Sequence, residues 1–233
     1  VAFADLPNSE TVGEEVTANK YIIVEYTATL NKDAEIGLPG NPNRVYLEFS
    51  NNPNSGGEGD TGKTPEDKVI VFTYELDATK VDGEHTDTKL KDAEFKLYDE
   101  NGKYVIVDAD GKVTGWADNE AGGSTLKSDE NGLFKVIGLD DGTYWLKETK
   151  APDGYNLITD PIKIEIKATT VNDQDWTAME GPSDALTALE IKVTVGSTTT
   201  SGNGDTESGI VETDIKNNKG ATLPETGGMG TTI

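Results

Sequence analysis

The chain reads as an all-β protein, and three observations predict this. Its apolar residues gather in short runs that alternate with a period of two, as the two faces of a strand do. Those runs are rich in Val, Ile, Thr, Tyr and Phe, the residues that fit a pleated, half-buried surface. Between them lie clusters of Gly, Asp, Asn and Pro, including 26 Gly in 233 residues, which supply turn chemistry. A hydrophobic content of 34% with 7% aromatics supports a modest core, and the length suits one or two domains.

Taken in order, residues 1–20 are polar and acidic and read as a loop. Residues 21–30 (YIIVEYTATL) are predicted as a strand. GLPGNPN at 37–43 is turn chemistry, and a second strand is expected at 45–50, with Val45, Leu47 and Phe49 on one face and Asn51 continuing it. Residues 54–67 (NSGGEGDTGKTPED) have no apolar period and read as a loop or linker. Two strands cannot form a sandwich alone, so most of this first domain is expected upstream of Val1.

Residues 69–81 (VIVFTYELDATKV) open the next domain. Ile70, Phe72, Tyr74, Leu76, Ala78 and Lys80 share one parity, so the inward face ends in a lysine. By spacing alone that lysine is a solvated rim charge or snorkels. Strands follow at 90–98, 104–107 and 134–139, separated by turn signals at 99–102, 108–111 and 129–132. Asp-x-Asp-Gly at 108–111 lacks the spacing and terminal Glu of a calcium loop, so a hairpin turn is the better reading. Strands are also expected at 162–168, 191–195 and 210–217. The segment 171–189 is ambiguous and has room for a short helix, and 196–209 reads as a Gly/Ser/Thr-rich surface loop. On the last strand Val211, Thr213, Ile215 and Asn217 share a parity, and Asn218 points the other way. An Asn that merely ends a strand and starts a turn is the ordinary alternative.

The segment that organises the rest is 143–155, TYWLKETKAPDGY. Tyr144, Leu146 and Glu148 fall on one face of a strand, which stops at the turn Ala151-Pro152-Asp153-Gly154. Spacing alone favours a solvated Glu148, because an unpaired Glu is rarely buried. Composition narrows the function further. A net charge of −23 argues against nucleic acid or anionic lipid as a partner, since both need basic patches. With no Cys and a single His, His85, the usual nucleophilic triads and transition-metal clusters are out of reach. No metal or cofactor is expected. An exported chain without disulfides needs another staple or another compartment. There is no signal peptide and no membrane-spanning apolar run, and Val1 starts in mid-pattern, so the chain is expected to be a fragment of a longer precursor.

The string Tyr144-x-Leu146-x-Glu148-Thr149-x-Ala151-Pro152-x-Gly154-Tyr155 resembles the E-box of sortase-assembled Gram-positive shaft pilins and collagen-adhesin B-type domains. SDENGLFKVIGLDDGTYWLKET at 128–149 is similar to the strand-turn-strand leading into that box. YTATLN, GNPN and LEFSNNPN resemble the end of the middle domain of backbone pilins. The resemblance implies an Ig-like β-sandwich of collagen-adhesin B type at 67–219. It is preceded at 1–66 by the C-terminal part of a second β-sandwich pilin domain and followed at 220–233 by a truncated sorting signal. It also implies that Glu148 is buried and promotes an amide between Lys80, on the first strand, and Asn217, with Asn218 as second choice. Asn51 would be the amide-forming Asn of the upstream domain, or simply a turn-starting Asn. Burial favours the neutral amine, and a carboxyl group beside it can donate to the Asn217 carbonyl oxygen and pass a proton to the departing ammonia.

Leu223-Pro224-Glu225-Thr226-Gly227 matches the sortase motif LPxTG. In the family a sortase cysteine attacks the Thr226 carbonyl, releases everything from Gly227 onward and joins the chain to a neighbouring pilin lysine or a peptidoglycan cross-bridge. Pro224 fixes its own φ and restricts Leu223, favouring the extended form such an attack needs. The implied protein is a structural subunit of a covalent pilus, extracellular and anchored to the cell wall of a Gram-positive bacterium. It touches the membrane only through a C-terminal span of the precursor that is missing here. It is not expected to be an enzyme, its amide being a single self-modification, and the host ligand is not legible. The stalk of a wall-anchored adhesin is the alternative. A glycosidase with paired carboxylates finds no catalytic context among the many acids.

Overall fold

The computed structural model describes residues 25–31, 33–51, 60–171 and 184–220. Residues 25–30 fall in a compact unit separate from Asn31–Ile233, and they carry no strand. The rest of the strand expected at 21–30 lies outside the described residues. β-propensity alone supplies no ladder partner, and Tyr26 is 65% exposed.

The second unit begins with small ladders. β1 (Asn41–Val45) pairs with β4 (Asp67–Val71), and β2 (Glu48–Ser50) with β3 (Thr61–Lys63). Three expectations are corrected here. The strand expected at 45–50 is broken at Tyr46 and Leu47. β1 begins inside the anticipated turn, where Pro42 is tolerated in a two-stranded ribbon. The loop expected at 54–67 contains β3 and the start of β4. The run at 69–81 is likewise two strands, because Phe72 and Thr73 leave the ladder between β4 and β5 (Tyr74–Asp82).

From β5 onward two sheets face each other across one core. The smaller has the order β10–β5–β15, from β10 (Leu133–Leu139) and β15 (Ile210–Asn217), with β15 parallel to β5. The larger has the order β14–β13–β12–β11–β6–β7–β8. Its strands are β6 (Glu94–Asp99), β7 (Tyr104–Val107), β8 (Val113–Ala117), β11 (Gly142–Lys150), β12 (Ile162–Thr170), β13 (Leu186–Val195) and β14 (Thr198–Asn203). A short β9 (Leu126–Lys127) pairs with β6. The fold is thus an all-β sandwich. Leu76 and Ala78 of β5, Val211 and Ile215 of β15, Phe95 and Leu97 of β6, Leu146 of β11 and Ile162 and Ile164 of β12 fill the space between the sheets, all buried. Phe134 on β10 stacks on Phe95 of β6 at 4.8 Å between centroids, tying one layer to the other.

One turn design is used three times. In 99–103, 108–112 and 129–133 the opening Asp accepts, through one carboxylate oxygen, the N–H groups two and four residues on, at 2.8–3.0 Å. The fourth residue is a Gly at φ +73°, +86° and +74° respectively, the left-handed region where a side chain would be strained. The Asp108 carboxylate is therefore occupied by its own turn, as a hairpin reading requires.

Other boundaries moved. The strand expected from residue 90 starts at Glu94, after Asp92 adopts a positive φ of 65°. The segment 196–209, expected as a loop, contains β14, since the β-branched Thr198, Thr199 and Thr200 extend the β13 ladder. The helix considered for 171–189 falls largely on 172–183, outside the described residues, and its end from Leu186 is strand.

Truncating Phe134 tests the inter-sheet packing. Phe134→Ala removes a ring only 5% exposed and should destabilise by about 3–5 kcal/mol in guanidinium unfolding; a loss below about 1 kcal/mol would mean the two layers are not held by this stack.

A buried lysine–glutamate–asparagine site

Lys80 lies on β5 with Ile215 of β15 beside it in the parallel register, and Asn217 follows one inward step later. Glu148 lies on β11 of the opposite sheet, in register with Phe95. The ladder between β11 and β6 shifts between Glu148 and Lys150, so the chain leaves the sheet just past the carboxylate and turns at Pro152. Irregularities of this kind often re-aim a side chain next to a site.

The structure brings the three side chains together in the interior. Lys80, Glu148 and Asn217 are 0%, 2% and 1% exposed. Lys80 Nζ donates to Asn217 Oδ1 at 2.5 Å and lies 3.3 Å from Glu148 Oε1. Asn217 Nδ2 donates to Glu148 Oε1 at 3.1 Å and to the Asn156 carbonyl at 3.0 Å. The Ile158 N–H donates to Glu148 Oε2 at 2.7 Å. The aromatic ring beside the amine is Phe95, its centroid 5.5 Å from Nζ. Every charged or polar atom of this enclosed group therefore has a partner, which is what makes its burial tolerable.

The amide points differently from the sequence expectation. Its nitrogen, not its oxygen, faces Glu148, because an N–H pair between a carboxylate and a carbonyl satisfies both acceptors while the oxygen takes the lysine. Glu148 thus sits between the lysine nitrogen and the amide nitrogen, the two atoms a proton must travel between if an amine displaces ammonia. Burial pushes the Lys80 amine down to about 8, against an upward pull from the Glu148 carboxylate.

Asn218 is exposed; its backbone carbonyl accepts from the Asn156 N–H at 2.9 Å, and its side chain lies over Gly83. Asn51 is exposed at the end of β2, with its N–H donating to the Asp60 carbonyl at 3.1 Å. No lysine amine bonds its side chain among the described residues. Leu223, Pro224, Glu225, Thr226 and Gly227 lie outside the described residues.

Sequence reasoning missed the rim of the site. Asp82, 1% exposed, accepts Tyr155 Oη–H at 2.8 Å, Lys219 Nζ at 3.0 Å and the N–H groups of Glu84 and His85 at 2.8 and 3.2 Å. These donors, Tyr155 first, hold its carboxyl well below the usual carboxylate range. Parity was the available signal, since Asp82 follows Lys80 by two residues on the inward face.

A folded amine held at about 8 against 10.5 for a free lysine binds fewer protons than the unfolded chain between those values, so its contribution to stability rises with pH across that window. Asn217→Ala keeps the Lys80–Glu148 pair and has no amide to attack. It should gain stability from pH 7 to pH 10 relative to the Lys80→Met/Asn217→Ala double variant in denaturant titrations. An unchanged or falling difference would contradict the buried placement of the amine.

Residues 74–179 match the SpaA prealbumin-like fold domain. The chain is 27% identical over 256 aligned residues to the trypsin-resistant surface T6 protein of Streptococcus pyogenes serotype M6, an alignment covering 89% of this chain and 44% of that one. Among solved structures it is similar to the group B streptococcus pilus 2b backbone protein, at 26% identity and a TM-score of 0.45 over 73% of this chain and 48% of that one. It is also similar to the T6 backbone pilin of serotype M6 Streptococcus pyogenes, at 24% identity and a TM-score of 0.46 over 82% and 45%. The chain is thus similar in sequence to streptococcal pilus backbone proteins and spans a little under half of each.

Proposed function

We propose that this chain is part of the structural subunit of a covalently polymerised pilus on a Gram-positive cell surface, and that Lys80 and Asn217 become joined by an intramolecular amide with Glu148 as proton carrier. On this reading residues 67–219 are the amide-forming domain, 1–66 the end of a preceding pilin domain, and 220–233 carry the sorting signal. A sortase would cleave after Thr226 and transfer the chain to a neighbouring subunit or to the cell-wall cross-bridge.

The observation that carries the reading is the distance set: amine to carboxylate 3.3 Å, carboxylate to amide nitrogen 3.1 Å, all three side chains out of water. Lys80 Nζ gives a proton to Glu148 Oε1, and its freed lone pair attacks Asn217 Cγ. The new Nζ–Cγ bond forms as the Cγ–Nδ2 bond breaks. Both protons shed by the ammonium pass through Glu148 to Nδ2, which leaves as ammonium, so one amide is exchanged for another with charge conserved. Glu148 ends as it began. Holding the reactants in contact replaces a bimolecular encounter with an intramolecular one, which is how an unactivated carboxamide can react at all.

The product would close a loop between residues 137 positions apart, removing roughly 5 kcal/mol of unfolded-chain entropy. It would also join the first and last strands of the sandwich, so that tension on the chain bypasses everything between them.

Intact-protein mass tests the reaction. Wild-type protein should be lighter than its sequence by one ammonia, whereas Glu148→Ala and Asn217→Ala should have the full sequence mass and unfold at lower denaturant. Full mass in the wild type would sink the proposal.

A further inference from the structure

The proposed coupling needs more than three side chains, because a free carboxamide and a free carboxylate each sample several rotamers. In this fold both are held by backbone groups of one short segment. The Asn156 carbonyl takes the Asn217 amide nitrogen at 3.0 Å, and the Ile158 N–H takes Glu148 Oε2 at 2.7 Å. Oε1 then faces the lysine at 3.3 Å and the amide nitrogen at 3.1 Å, and the amide nitrogen also reaches Oε2 at 3.3 Å. The same segment is sewn to the end of the last strand. Asn156 N–H donates to the Asn218 carbonyl at 2.9 Å, Asn156 Nδ2 donates to the Lys219 carbonyl at 3.3 Å, and Tyr155 and Lys219 form an antiparallel bridge.

What fixes the segment is a second polar contact, outside the reacting group. Tyr155 donates its phenol to Asp82 Oδ2, Lys219 pairs with the same oxygen, and the lysine lies over the tyrosine ring at 5.9 Å. Asp82 stands two residues beyond Lys80 on β5, Tyr155 seven beyond Glu148 on the chain leaving β11, and Lys219 two beyond Asn217. One carboxylate thus gathers a residue close in sequence to each of the three reacting side chains.

We propose that residues 155–158 are a positioning clamp for the coupling reaction and that Asp82, Tyr155 and Lys219 are the latch that holds the clamp closed. None of the three touches the reacting atoms; they act through the Asn156 carbonyl and the Ile158 N–H. The inference rests on the coupling proposed above. Release of the latch lets the segment drift, the amide and carboxylate regain their rotamers, and the reactive geometry is visited less often while the sandwich stays folded.

The test follows ammonia loss against time by intact mass in the full chain, made in a short pulse of cell-free synthesis. Tyr155→Phe should slow coupling by about tenfold, the scale set by losing a hydrogen bond to a charged group. Lys219→Met, which loses an ion pair with a largely exposed lysine, should slow it by about two- to fivefold, and Lys219→Arg should restore most of that loss. Val105→Ala, in the core on β7, is the control: it should lower the unfolding midpoint and leave the coupling rate unchanged. Coupling at the wild-type rate in Tyr155→Phe would overturn the latch, as would equal slowing in Val105→Ala, which would make the effect one of stability. A wild-type chain that never loses ammonia would refute the coupling reaction itself, and the latch with it.

Discussion

An ammonium and a carboxylate enclosed between two sheets each forgo their hydration, at several kcal/mol per ion after relaxation, and the domain is arranged around offsetting that loss. Their mutual contact alone would not suffice. The Asn217 amide accepts from the amine and donates to the carboxylate, while the Ile158 N–H and the Asn156 carbonyl take the remaining positions. Removing one member leaves the others with fewer partners in a site that water does not reach. The group is therefore costly as an assembly of charges and well satisfied as a network, and the proposed amide would replace the buried ammonium with a neutral bond, its charge departing with the ammonium ion.

The topology explains why those three strands were chosen. β15 lies parallel to β5, so the start of the sandwich and its end lie at opposite ends of one strand pair. Tension applied through the chain ends shears that pair, which is held by its ladder, the Lys80–Asn217 hydrogen bond and the Asp82–Lys219 ion pair. A bond from Lys80 to Asn217 would cross it directly. Glu148 has to come from the facing sheet, because a third inward residue on the same layer would sit beside the pair and not over it. The bulged end of β11 and the turn at Pro152 put it there.

Much of this was legible in the chain, for identifiable reasons. Period-two parity put Lys80, Glu148 and Asn217 on inward faces, but parity alone preferred a wet glutamate and a rim lysine; the match of 144–155 to a known motif reversed the preference. Asp-x-x-Gly turns announced themselves because side-chain acceptance and a positive-φ Gly are both written in residue types. β14 was hidden, since Thr, Ser and Gly serve a loop as well as an edge strand, and ladder partners decide between them. The clamp was hidden more deeply. The Asn156 carbonyl and the Ile158 N–H are backbone groups, identical at every position, and no residue type marks them. The run at 21–30 shows the opposite failure: strong β-propensity without a ladder in its described part.

Peptide mapping is the most direct measurement of the central claim. Exhaustive proteolysis of the folded, purified chain followed by tandem mass spectrometry should yield one branched species in which the peptide containing Lys80 is joined through its side chain to the peptide containing Asn217, with the mass of the pair less one ammonia. Recovery of those two peptides only as separate linear species, each at full mass, would contradict it.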